Sequence, residues 1–122
     1  MELEVLKNVF NIYKLKDNNI TLPKILPYFI TESEDEFSLV CDNTIIPSNI
    51  VAKQEGYKAI RIKGELDFSL IGIIAEISTI LSRKDISVFV VSSYNTDYIL
   101  VRENKIEEAI TELVLKGYSV SY

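Results

Sequence analysis

Between Tyr57 and Tyr122 the spacing of apolar residues switches repeatedly between strand-like and helix-like periods, and that succession leaves few folds open. Tyr57 to Lys63 alternates, with Ile60 and Ile62 on one face and Arg61 and Lys63 on the other, which predicts a half-buried strand. After a loop from Gly64 to Ser69, Leu70, Ile73, Ile74, Ile77, Ile80 and Leu81 recur at helical spacing, with Arg83 and Lys84 suited to the helix's negative end. Ile86 to Ser92 is apolar on both faces, as in an inner strand. A turn at Tyr94-Asn95-Thr96-Asp97 leads to a returning strand, Tyr98 to Arg102. Asn104, with Glu107 three residues on, reads as a helix N-cap. Ile106, Ala109, Ile110, Leu113 and Val114 then form a second amphipathic stripe, which Gly117 is placed to end. Tyr118 to Tyr122 closes as a strand. The order βαββαβ is the ferredoxin-like arrangement, an α+β fold with helices on one face of an antiparallel sheet.

The first half is more irregular. It holds all three prolines, whereas all four glycines lie at or after Gly56, so a unit boundary is expected there, with units 1–56 and 57–122. Leu3 to Leu6, Phe10 to Leu15 and Phe37 to Cys41 read as strands. Leu22 to Tyr28 and Ile45 to Val51 are the segments open to short helices, the first limited by proline. Glu32-Ser33-Glu34-Asp35-Glu36 is read as a solvated loop.

Composition excludes much chemistry. The 122 residues contain no histidine and one cysteine, so a Ser-His or Cys-His nucleophile pair and the usual zinc sites cannot be built within one chain. No phosphate-cradling glycine motif is present. A net charge of −5 disfavours nucleic acid and anionic lipid as partners. No apolar run is long enough to span a membrane, and Met1-Glu2-Leu3-Glu4 lacks the basic start of a signal peptide. With Cys41 alone, the expectation is a cytoplasmic protein with a buried, unreactive thiol.

The segment Gly64-Glu65-Leu66-Asp67-Phe68-Ser69-Leu70-Ile71-Gly72-Ile73-Ile74-Ala75, followed by Ser92-Ser93-Tyr94-Asn95-Thr96-Asp97-Tyr98, resembles the small bacterial proteins with tandem ACT-like domains. These are related to the regulatory domains of aspartate kinases and, more distantly, similar to animal cytosolic arginine sensors. The resemblance runs from about Leu3 to Val120 and is loose in the first half, which makes 1–56 a degenerate ACT-like unit. It implies two ACT units that associate through strand and helix edges, as a homodimer or higher homo-oligomer. It also implies a small ligand, an amino acid above all, bound at such an interface.

Elementary chemistry points to the same loop. A helix opening at Ser69 to Gly72 presents free N–H groups and a positive end, a receptor for a carboxylate. Gly72 leaves room for close approach, and Asp67 can accept hydrogen bonds from a ligand's ammonium or guanidinium. The expected ligand-binding set is Asp67, Phe68, Ser69, Leu70, Ile71 and Gly72, joined by Ser93, Asn95, Thr96 and Asp97. Plainer roles stand beside it: Asp67 or Ser69 as helix caps, Gly72 as a packing device, Asp97 as a turn residue. No catalytic residue, metal or cofactor is expected. The function expected is a non-catalytic sensor; an adaptor that makes only protein contacts, or an enzyme using Asp67 and Asp97, are the alternatives. Ile60, Ile62, Ile73, Ile77, Val88, Val90, Leu100, Ile110 and Leu113 are expected to be buried.

Overall fold

The structure is a computed structural model that describes residues 1–63 and 72–122. The chain divides into two compact units, one formed by Met1–Lys7 with Lys58–Tyr122, the other by Asn8–Tyr57. This division departs from the expected 1–56 and 57–122: the first seven residues lie with the C-terminal half. In chain order the elements are β1 (Glu2–Val5), β2 (Phe10–Leu15), β3 (Phe29–Glu32), β4 (Phe37–Asp42), β5 (Ile50–Ile62), α1 (Ile73–Ser82), β6 (Phe89–Ser92), β7 (Asp97–Arg102), α2 (Ile106–Leu115) and β8 (Ser119–Ser121). A single 3₁₀ turn, Glu103–Lys105, precedes α2.

In the larger unit the βαββαβ order is present as β5, α1, β6, β7, α2 and β8, with an added strand. β1 sits between β5 and β8, antiparallel to the first and parallel to the second. β7 lies between β5 and β6. Leu3 and Val5 on β1, Ile60 and Ile62 on β5, and Ile99 and Val101 on β7 share one core with Ile77, Ile80 and Leu81 of α1 and Ile106, Ala109 and Leu113 of α2. The two helical stripes predicted from periodicity therefore meet the alternating strand residues on one face of the sheet. β1 is recruited because Leu3 and Val5 alternate with Glu2 and Glu4, presenting two apolar residues to the helices. On the other side of the pleat, Arg61 and Glu4, cross-strand partners, form an ion pair of 2.8 Å.

Both helices end the same way. Tyr118 donates its N–H to the Leu113 carbonyl and Gly117 to that of Val114, and Gly117 takes φ 99°. At the end of α1, Ile86 bonds Leu81 and Asp85 bonds Ser82, with Asp85 at φ 57° in the place that glycine fills after α2.

Several sequence expectations change. Ile86 to Ser92 does not form an inner strand among the described residues: there β6 (Phe89–Ser92) pairs only β7, and Phe89 and Val90 remain 38% and 37% exposed. Val90 thus leaves the expected core, while Ile73, Val88 and Ile110 pack against it partly buried. An apolar run of β-branched residues does not distinguish an inner strand from an apolar edge, since the pairing partner is set by distant sequence. Asn104 does not cap α2. It lies inside the 3₁₀ turn that leads straight on from β7, and no side chain caps either segment.

The smaller unit is a four-stranded antiparallel sheet in the order β3-β4-β2-β5, using residues 50–57 of β5. Neither short helix forms: residues 22–28 and 43–49 are irregular. Two proline-bearing loops, 16–28 and 43–49, stand where the larger unit has helices, and they deliver Ile20, Tyr28 and Ile45 onto Tyr13, Leu15, Phe37, Leu39 and Cys41. β5 does not break at Gly56. Phe10 pairs Tyr57 and Asn11 pairs Glu55, which leaves Gly56 as the extra residue of a bulge at φ 82°. Its N–H donates to Asn11 Oδ1 at 3.1 Å, and Asn11 Nδ2 donates to the Tyr13 hydroxyl at 3.0 Å, which satisfies a buried amide. The acidic run is a tight turn: Ser33 Oγ accepts the N–H groups of Asp35 and Glu36, and the acids face solvent.

Candidate functional site

One of the sequence-predicted segments, the β6–β7 turn, is docked against the end of β5 at a rim of the larger unit. Thr96, at the end of the β6–β7 turn, is buried, and its hydroxyl donates to the Ile62 carbonyl at 2.7 Å. That bond seats the turn beside the last residue of β5, from which Lys63 leads on toward residues 64–71. Lys63 is fixed as well: its N–H donates to the Glu2 carbonyl at 3.0 Å, and its ammonium lies 3.4 Å from the Glu2 carboxylate. Glu2 and Lys63 therefore border this rim. Sequence reasoning placed Lys63 on the second face of a strand and gave Glu2 no role, because nothing local shows that β1 lies next to β5.

The turn itself is closed by its own groups. The Ser93 N–H donates to the Thr96 carbonyl at 2.8 Å, the Ser93 hydroxyl to the same carbonyl at 2.9 Å, and the Thr96 N–H returns to Ser93 Oγ at 3.3 Å. Ser93 and Thr96 are thus spent on structure. Asn95 is exposed, and Asp97, half-buried, begins β7 opposite Ser92. Tyr94 projects fully into solvent.

On the helix side, α1 begins at Ile73 with Gly72 as N-cap, at φ 85° and ψ 7°. Having no side chain, Gly72 supplies no capping bond; its carbonyl accepts the Glu76 N–H at 2.9 Å. Among the described residues a Cβ built at Gly72 would meet nothing within 4 Å, and the left-handed conformation here is one that glycine adopts without strain. Asp67, Phe68, Ser69, Leu70 and Ile71 lie outside the described residues. At this same end of α1, one turn on, the helix is tied to the chain that follows α2: the Tyr118 hydroxyl donates to Glu76 Oε1 at 2.6 Å, and burial with the nearby carboxylate pushes the phenol up to about 12. No group of His, Cys, Asp or Glu that could hold a metal occurs among the described residues. Cys41 is buried, which with the charge of Asp42 pushes its thiol up to about 11, well away from a reactive thiolate at neutral pH.

Solved structures with this fold include a protein from Agobacterium tumefaciens, 28% identical, with a TM-score of 0.86 over 99% of this chain and 92% of that one. A protein of unknown function from Vibrio cholerae is 19% identical, with a TM-score of 0.70 over 92% and 86%. The ligand-free regulatory subunit of aspartate kinase from Thermus thermophilus is 6% identical, with a TM-score of 0.63 over 93% and 95%, a likeness of fold alone. No curated protein matches. A model of the ACT domain matches residues 52–113, which include the C-terminal part of β5 and everything from the β5–α1 loop to most of α2. With the α+β sheet and its two helices, that match places this chain in the ACT domain family.

Proposed function

We propose that this chain is a non-catalytic regulatory protein that binds a small ligand, an amino acid by preference, at the rim between the start of α1 and the β6–β7 turn. The observation that carries this reading is the 2.7 Å bond from Thr96 to Ile62, which brings the turn next to the strand end that enters residues 64–71. The family supports it, and so does the kinship of fold with a regulatory subunit of aspartate kinase. In this reading the ligand carboxylate takes the free N–H groups at the opening of α1, and Asp67 takes the ammonium or guanidinium. Asn95 and Asp97 add polar contacts, while Ser93 and Thr96 hold the turn in place. The lack of histidine and the high thiol pKa of Cys41 are consistent with binding without chemistry, and a single buried cysteine suits a cytoplasmic setting.

The test is thermal melting against the twenty amino acids, followed by calorimetry on the one that raises the melting temperature. Asp67→Ala should weaken binding by about 1.5–3 kcal/mol if the contact is a charged hydrogen bond. Gly72→Val should weaken it by straining the left-handed opening of α1. If no amino acid shifts the melting curve, or if both variants bind like the parent, the site is not here.

Association through β6 belongs to the same reading. Its outer edge has no strand partner among the described residues, it carries no charge, and Phe89 and Val90 are half-exposed. Antiparallel pairing of two such edges would give a homodimer. Light scattering should then find twice the mass of 13.9 kDa, and Val90→Lys should return the monomer. A monomeric parent at tens of micromolar would refute the pairing. Should no ligand bind while the dimer forms, the chain is an adaptor.

A further inference from the structure

The loops that replace helices in the smaller unit leave a groove. Residues 19–21 form one wall and residues 45–48 the other, over Leu39, with a volume of about 500 Å³, a size suited to a small organic molecule. Both walls are tied down. Asp17 Oδ1 accepts the Asn19 N–H at 3.0 Å and the Asn49 side-chain amide at 2.9 Å, and Lys16 donates its N–H to the Asn49 carbonyl. The Ile45 carbonyl accepts from the Tyr13 hydroxyl at 3.3 Å and lies 4.0 Å from the Cys41 sulfur, both in the sheet beneath. The 45–48 wall is thus held at both ends, at Ile45 and beside Asn49, and the 19–21 wall at its Asn19 end.

The lining decides the ligand. Ile20, Leu39, Ile45, Ile46 and Pro47 supply apolar surface, Asn19, Thr21 and Ser48 supply neutral donors and acceptors, and no ionisable residue is among them. A free amino acid would have to strip water from two charges with no opposite charge to meet them, at a cost of several kcal/mol. An uncharged molecule loses far less. We propose that this groove is a second binding site, taking a small uncharged compound with an aliphatic or aromatic body and an amide or hydroxyl group. The proposal does not rest on the amino-acid rim of the larger unit.

Backbone amide spectra of the whole ¹⁵N-labelled chain, titrated with N-acetyl-leucinamide, benzyl alcohol and caprolactam, test it, with free leucine as the charged comparison. The expected result is saturable shifts at Thr21, Leu39, Ile46 and Ser48 from at least one uncharged probe and none there from leucine. Ile46 is 78% exposed, so Ile46→Lys should leave the fold intact while bringing a charge to the groove, and Thr21→Trp should fill it. Each should weaken binding roughly tenfold or more, with the rest of the spectrum unchanged. The proposal is overturned if no uncharged probe gives saturable shifts in the groove, if leucine matches them there, or if both variants bind like the parent. Leucine shifts confined to Gly72 and residues 93–97 would support the amino-acid rim and leave this outcome separately readable.

Discussion

Thr96→Val separates structural from ligand-facing roles at the rim. Valine nearly matches threonine in shape, so the change removes a hydroxyl and adds a methyl in a site that is 6% exposed. The hydroxyl donates to the Ile62 carbonyl at 2.7 Å, between two segments 34 residues apart, and its loss withdraws that donor from the carbonyl. Withdrawing a partner from a buried polar group costs about 1–3 kcal/mol. Thr96→Ser keeps the hydroxyl and loses one methyl, a cost of about 0.8 kcal/mol. Urea unfolding followed by circular dichroism reads both. With a slope of about 1–3 kcal/mol per molar for a protein of this size, the valine variant should unfold roughly 1 M earlier than the parent. The serine variant should fall between them. A valine variant within about 0.5 kcal/mol of the parent, or a serine variant less stable than the valine one, would refute the role assigned to this bond.

Backbone conformation gives two changes of opposite sign. Gly56→Ala meets no atom within 4 Å, so its cost is the φ of 82° alone, about 1–2 kcal/mol lost in urea unfolding, whereas Asp85→Gly relieves a side chain at φ 57° and should stabilise by about 0.5–1 kcal/mol. Tyr118 titrates near 12 in the fold against 10.0 for the free group, so its protonated form is favoured on folding; that contribution is complete below pH 10 and disappears as pH rises toward 12. Tyr118→Phe should therefore show a shallower loss of stability over that range, and equal slopes would count against the bond to Glu76. Cys41 should resist iodoacetamide in the folded protein at neutral pH and react once urea unfolds it; rapid labelling of the native protein, followed by mass spectrometry, would show the thiol to be accessible.

Local periodicity alone determined most of the larger unit. Ile60 and Ile62 against Arg61 and Lys63 could only be a two-faced strand. Ile77, Leu81, Ala109 and Leu113 could bury together only as helix stripes, and both helices end where the chain turns left-handed, at Asp85 and Gly117. The absence of histidine was likewise decisive, since no fold can supply a residue type the chain lacks. Tertiary structure decided what local pattern cannot encode. Which strand lies at an edge depends on partners far along the chain: β1 came to lie between β5 and β8, and β6, paired with β7 alone among the described residues, keeps Phe89 and Val90 half-exposed. Gly56, read as a boundary, does lie beside the division between Tyr57 and Lys58, but as a bulge within one strand, because Asn11, 45 residues earlier, receives its N–H. The rim has the same origin: Thr96 and Ile62 are 34 residues apart, and only the docking of β7 beside β5 turns a threonine in a hairpin into the bond that seats the β6–β7 turn against the end of β5.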